Sequence, residues 1–239
     1  DLREKVGWFL KRRKLPVYTI SSGSLKAEVC PELAGLVCTL KRADGKINLL
    51  CQPAPWILRY PTMAGLTEGC TADGFGPGFM EPYHLVEKGT NFLVLKADLA
   101  NQVEVTRTYT LKDKQGWLHL HSVYASKSSQ VLSLLWHVFA LLKVGEPGDL
   151  VFFRQNSEGK TVVVKPEVPL PTVSASQWLC WKKENLPAGV WGCFNRKKGY
   201  GLRHEFSEEV TACSSTVYTR DHRVLLEVVG KTHRVKPGS

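Results

Sequence analysis

Hydrophobic positions in this chain recur with period two over most of its length, the repeat of a β-strand rather than a helix. The strongest run is residues 131–144, VLSLLWHVFALLKV. Read as a strand, it has one unbroken apolar face of Leu132, Leu134, Trp136, Val138, Ala140, Leu142 and Val144. Its other face holds His137 among Val131, Ser133, Leu135, Phe139 and Leu141. A strand apolar on both faces belongs inside a sheet covered on each side. The same run is also compatible with a buried helix capped by Ser128 or Ser129, and strand-like neighbours on both sides favour the strand.

The alternation is cleanest at 101–111, where Val103, Val105, Arg107, Tyr109 and Leu111 alternate with polar residues. The turn KDKQG leads from there into WLHLHSVYA, an expected antiparallel partner. Further strands are expected at VYTIS, SLKAEVC, GLVCTLK, KINLLC, YHLVEK, NFLVLKAD, DLVFF, TVVVK, QWLCWKK, GVWGCFN, GYGLRHEF, VTACSSTVYT and HRVLLEVVG. ADGK (43–46) reads as a hairpin turn and KPEVPLP (165–171) as an extended connection. Roughly fifteen short strands at regular spacing predict an all-β sandwich or barrel. The expected exception is a basic amphipathic helix over 1–14, with Leu2, Val6, Phe9 and Leu10 on one face and Pro16 as its stop. The division is therefore 1–15, a helix or the remnant of a preceding domain, and 16–239, the β domain.

Composition changes this picture little. At 239 residues the chain suits one large all-β domain, and its 43% hydrophobic and 23% charged residues are ordinary for a globular protein. It has no apolar run of roughly 18 residues, so no membrane partner is expected. The first residues, DLREKVGWF, resemble neither a signal peptide nor a translation start, and point to cleavage or to excision from a longer polypeptide. The net charge of +10 is spread along the chain, apart from KRRK (11–14) and RKK (196–198), and comes with no nucleic-acid-binding signature. Solvated turns and a basic face are expected, with an anionic sugar ligand as the second reading and no nucleic-acid partner. The seven cysteines form no CxxC pair and leave the compartment open.

The long segment 52–82 is dense in Gly and Pro, and its core, GLTEGCTADGFGPGF, is expected to fold over the mouth of a sheet and line a ligand cleft. It carries Glu68, Asp73, Glu81, Phe75 and Phe79, with Tyr83 just after it. Its glycines lack the strand, helix and Lys-Ser/Thr of a phosphate loop. His119 and His121 share a strand face; such a pair needs a third ligand to hold a metal, so no metal or other cofactor is expected.

Three segments together resemble galactose mutarotase-like domains. VEVTRTYTLKDKQGWLHLHSVYASKSSQVLSLLWHVF resembles their central hairpin and following strand, HRVLLEVVGKTHRVKPGS their C-terminal end, and AEVCPELAGLVCTLKRADGKINLL their opening. The resemblance implies an all-β supersandwich with a carbohydrate ligand. In the epimerase branch a glutamate takes the anomeric proton while a histidine protonates the ring oxygen. Glu227 and His137 match those positions, and Asp73 stands before Gly-Phe where a further histidine is expected. The main expectation is a carbohydrate-binding module, accessory to a preceding catalytic domain of the same polypeptide. The alternative is an aldose or hexose-phosphate 1-epimerase with His137 as acid and Glu227 as base. Candidate ligand contacts are Asp73, Arg107, Trp136, Arg203 and His204, with Arg59 as a further cation and Trp56, Trp178, Trp181 and Trp191 as further sugar platforms.

Overall fold

A computed structural model describes residues 15–52, 64–71, 76–114, 116–164, 176–180, 185–207, 209–218 and 222–238, with 176–180 as backbone. The expected helix at 1–14, Trp56, Arg59, Asp73 and Trp181 lie outside these residues, as does the Trp178 side chain. The described part is all β: sixteen strands and short 3-10 turns at Pro31–Leu33 and Pro147–Asp149.

The strands form three antiparallel groups. The large sheet has eight strands in the order β1 (Tyr18–Ser21), β2 (Leu25–Cys30), β3 (Leu36–Arg42), β4 (Leu66–Gly69), β9 (Leu132–Leu142), β16 (Arg223–Val235), β15 (Val210–Tyr218) and β12 (Ser176–Cys180). A second sheet is the meander β5 (His84–Lys88), β6 (Phe92–Asp98), β7 (Val103–Lys112) and β8 (Trp117–Ser126). The third runs β11 (Thr161–Val164), β10 (Leu150–Gln155), β13 (Val190–Asn195), β14 (Tyr200–Glu205).

The stretch with apolar residues on both faces is β9, between β4 and β16 in the large sheet. One face, with Leu134, Ala140 and Leu142, joins Val224, Leu226 and Val228 of β16. These pack with Leu93 and Leu95 of β6, Val105 and Tyr109 of β7, and Phe152, Trp191 and Cys193 of the third sheet. The main core thus draws on all three sheets. The other face carries a smaller cluster of Cys51, Phe79, Phe139, Leu141 and Leu225. The clean alternation of 101–111 becomes β7, and it pairs with β8 from Val103↔Ser126 to Lys112↔Trp117, as the KDKQG turn requires.

Two expectations fail. KINLLC is not a regular strand: it makes scattered backbone bonds to both neighbours, with Leu50 in an isolated bridge to Leu142. The Asn48 side chain supplies the missing ladder bonds, accepting from Leu40 N (2.9 Å) and donating to Cys38 O (3.1 Å). Conversely, the Gly-rich segment is not irregular throughout. Its Leu66–Gly69 is β4, an interior strand that pairs with β9 from Leu66↔Ala140 to Gly69↔His137.

Candidate functional site

Strand alternation and register place His137 and Glu227 together. His137 of β9 stands opposite Gly69 of β4 and Val229 of β16. One step along the same face, the row reads Thr67, Phe139, Glu227 and Ser214, across β4, β9, β16 and β15. His137 and Glu227 are therefore diagonal neighbours on adjacent strands, close enough for contact.

They do touch: His137 Nε2 lies 2.9 Å from Glu227 Oε1. His137 Nδ1 lies 2.9 Å from the Thr71 carbonyl oxygen, so both ring nitrogens face oxygens. The other carboxylate oxygen, Oε2, accepts a 2.6 Å bond from Ser214 Oγ. Burial alone would push the Glu227 carboxyl upward. The hydrogen bonds from His137 and Ser214 outweigh it and hold Glu227 below the usual carboxylate range. The imidazole is enclosed. His137 is 1% exposed against 19% for the Glu227 side chain, with Phe79 edge-on at 5.5 Å and Phe139 at 4.3 Å.

The remaining candidates do not join this pair. Arg107, Trp136 and His204 gather on the core side of the large sheet around Glu68, whose partner on β9 is Val138. Glu68 Oε1 accepts from Tyr124 Oη (2.9 Å) and Oε2 from Trp136 Nε1 (3.1 Å). Arg107, fully buried, lies 3.6 Å from Glu68 Oε1 and donates to the Glu68 carbonyl (2.9 Å), the Ala34 carbonyl (3.2 Å) and Ser122 Oγ (3.1 Å). Burial disfavours its charge, but Tyr83, Tyr109, Glu68 and Tyr124 around it favour the charge more and hold its pKa high. The His204 ring packs in a triangle with Trp136 (5.7 Å, tilted) and Phe206 (5.4 Å, edge-on), and burial pushes its pKa down to about 4, so it is neutral at pH 7. Arg203 is exposed and bound to Glu205 of its own strand at 2.6 Å. Trp191 is core.

Sequence reasoning named neither Ser214 nor Thr71 and placed Glu68 and Phe79 only in a loop. Ser214 had a usable signal, since VTACSSTVYT is an expected strand beside HRVLLEVVG. Thr71 contributes only a carbonyl, which every residue carries. His119 and His121 stack in parallel at 6.5 Å on exposed positions of β8. Among the described residues no group of three or more His, Cys, Asp or Glu could hold a metal ion. Nor is any helix there long and apolar enough to cross a membrane.

No protein-family profile matches the sequence, and no curated protein matches it. Solved structures do match. Slr1438 from Synechocystis sp. PCC 6803 superposes with a TM-score of 0.72 over 95% of this chain and 93% of that one, at 12% identity. A galactose mutarotase-like protein from Clostridium acetobutylicum superposes at 0.66 over 92% and 91%, also at 12% identity. The chain has the galactose mutarotase-like fold. A TPR-domain containing protein from Parabacteroides distasonis carries this fold too: the TM-score is 0.64 at 16% identity, over 93% of this chain but 44% of that one. At these identities the likeness concerns the fold alone.

Proposed function

We propose that this mutarotase-like domain binds carbohydrate on the His137–Glu227 face without interconverting its anomers. The observation that carries the proposal is the 2.9 Å contact between His137 Nε2 and Glu227 Oε1. Mutarotation needs an acid and a base that each reach a different atom of one ring, the ring oxygen and the anomeric hydroxyl. Here the two groups bind each other directly, and their outer atoms are occupied by the Thr71 carbonyl and Ser214 Oγ. A carboxylate held ionised at the rim of a half-enclosed face is a strong acceptor for sugar hydroxyls. The accessory-module reading is supported by the same fold making up less than half of a longer chain in the Parabacteroides protein.

The epimerase reading stays in second place. One observation favours it: the fold brings together the two residues that the chemistry requires. It then requires the sugar to separate the pair on binding.

Titration with methyl pyranosides, which cannot open their rings, tests the binding function by itself. The wild-type protein is expected to bind at least one neutral pyranoside, and Glu227→Ala to weaken that binding about tenfold or more, the worth of one charge-assisted hydrogen bond. A panel of glucosides, galactosides and mannosides that all fail to bind would overturn the proposal.

A further inference from the structure

We infer that Phe79 is the specificity-determining residue of this face, filling the position over the His137 imidazole that a reacting sugar ring would have to take; the inference rests on the carbohydrate-binding reading above. Phe79 is itself fully buried. Its ring stands edge-on to His137 at 5.5 Å and to Phe139 at 5.2 Å. The fit is made by Gly69, directly across from His137 on β4. A Cβ on Gly69 would come within 2.3 Å of the Phe79 ring, so only glycine leaves room for it. The segment that carries Phe79 is fastened on both sides. Glu81 Oε2 accepts from Gly78 N at 2.8 Å, Oε1 accepts from Ala100 N at 3.0 Å, and Cys70 N donates to the Pro77 carbonyl at 3.4 Å.

The consequence is chemical. With Phe79 and Phe139 against the ring and Glu227 on Nε2, His137 exchanges no proton with a ligand. Of the two, the Glu227 carboxylate is the exposed group that a sugar meets. Phe79 thereby selects hydroxyl recognition by a carboxylate over acid–base attack on the ring.

Diethyl pyrocarbonate, followed by mass spectrometry of the His137 peptide, reads access to the imidazole without any sugar. In the wild type, His119 and His121 should react while His137 is protected. Phe79→Ala should raise the His137 rate about tenfold or more through the cavity it opens, and Phe79→Leu, which refills the space, should keep the protection. Gly69→Ala, which drives the ring away from the opposite side, should expose His137 in the same way and serves in place of Phe79→Ala if that variant loses its circular dichroism spectrum. Wild-type His137 reacting as fast as His119, or protection that persists in folded Phe79→Ala or Gly69→Ala, would overturn the inference. Failure of every pyranoside to bind would remove the carbohydrate reading but leave the protection pattern intact, so the two failures are distinct.

Discussion

Among single residues, Glu227 holds the site together, its carboxylate bonded on both oxygens by His137 and Ser214. Its folded pKa is lowered, so its contribution to stability is present above the unfolded carboxylate value of about 4.3 and is lost as pH falls through the lower folded value. Urea denaturation from pH 7 down to pH 3 should therefore show wild-type stability declining at the acid end, with part of that decline absent in Glu227→Gln. At pH 7 the same variant should be less stable by about 1–3 kcal/mol, the cost of weakening hydrogen bonds to a partly buried charge. A Gln variant as stable as wild type at pH 7 and equally acid-sensitive would show that the carboxylate is not held by His137 and Ser214. The resemblance named both members of the pair but not their contact. Alternation placed His137 on one strand face and Glu227 on another, but the pairing that joins those faces spans 90 residues.

At the scale of elements, β4 is the piece that sequence reading missed. Its four residues, LTEG, show no alternation, and Thr67 and Glu68 are polar yet buried. Glu68 is inside because partners far along the chain satisfy it: Arg107, Tyr124 and Trp136 come from β7, β8 and β9. Such a network cannot be read from local pattern, which is why Arg107 and Trp136 looked like ligand contacts. Structurally, Arg107 fastens the meander to β4 and to the Ala34 turn. The turn is close-packed as well: Gly35 has φ of 68°, and a Cβ there would meet Tyr109 Oη at 2.3 Å. Arg107→Met should lower stability by about 3–5 kcal/mol, because it leaves Glu68 buried without its cation. The double variant Arg107→Met/Glu68→Gln should recover part of that loss, and a double-mutant cycle in urea measures the coupling. Strict additivity would mean that the two side chains do not act as a pair.

At the scale of the whole molecule, one large sheet has two differently used faces. One is covered by the two smaller sheets and holds the main core, with the Glu68–Arg107 network inside it. The other carries the His137–Glu227 pair under a smaller apolar cluster that includes Phe79. Because β9 supplies both faces, the apolar character of Trp136 and Val138 builds the core while His137 between them is turned to the site. The all-β class was legible because this alternation persists along most strands. Which sheet covers which face was not, since that depends on contacts between sheets rather than on pattern within strands. The central claim is that this arrangement recognises sugar and leaves its anomers unexchanged, and polarimetry on freshly dissolved α-glucose and α-galactose tests it most directly. The account predicts the buffer rate with wild-type protein, His137→Asn and Glu227→Gln alike. A clear acceleration by the wild type that falls by roughly two to four orders of magnitude in both variants, the usual worth of a general acid or base, would contradict it and establish the epimerase reading instead.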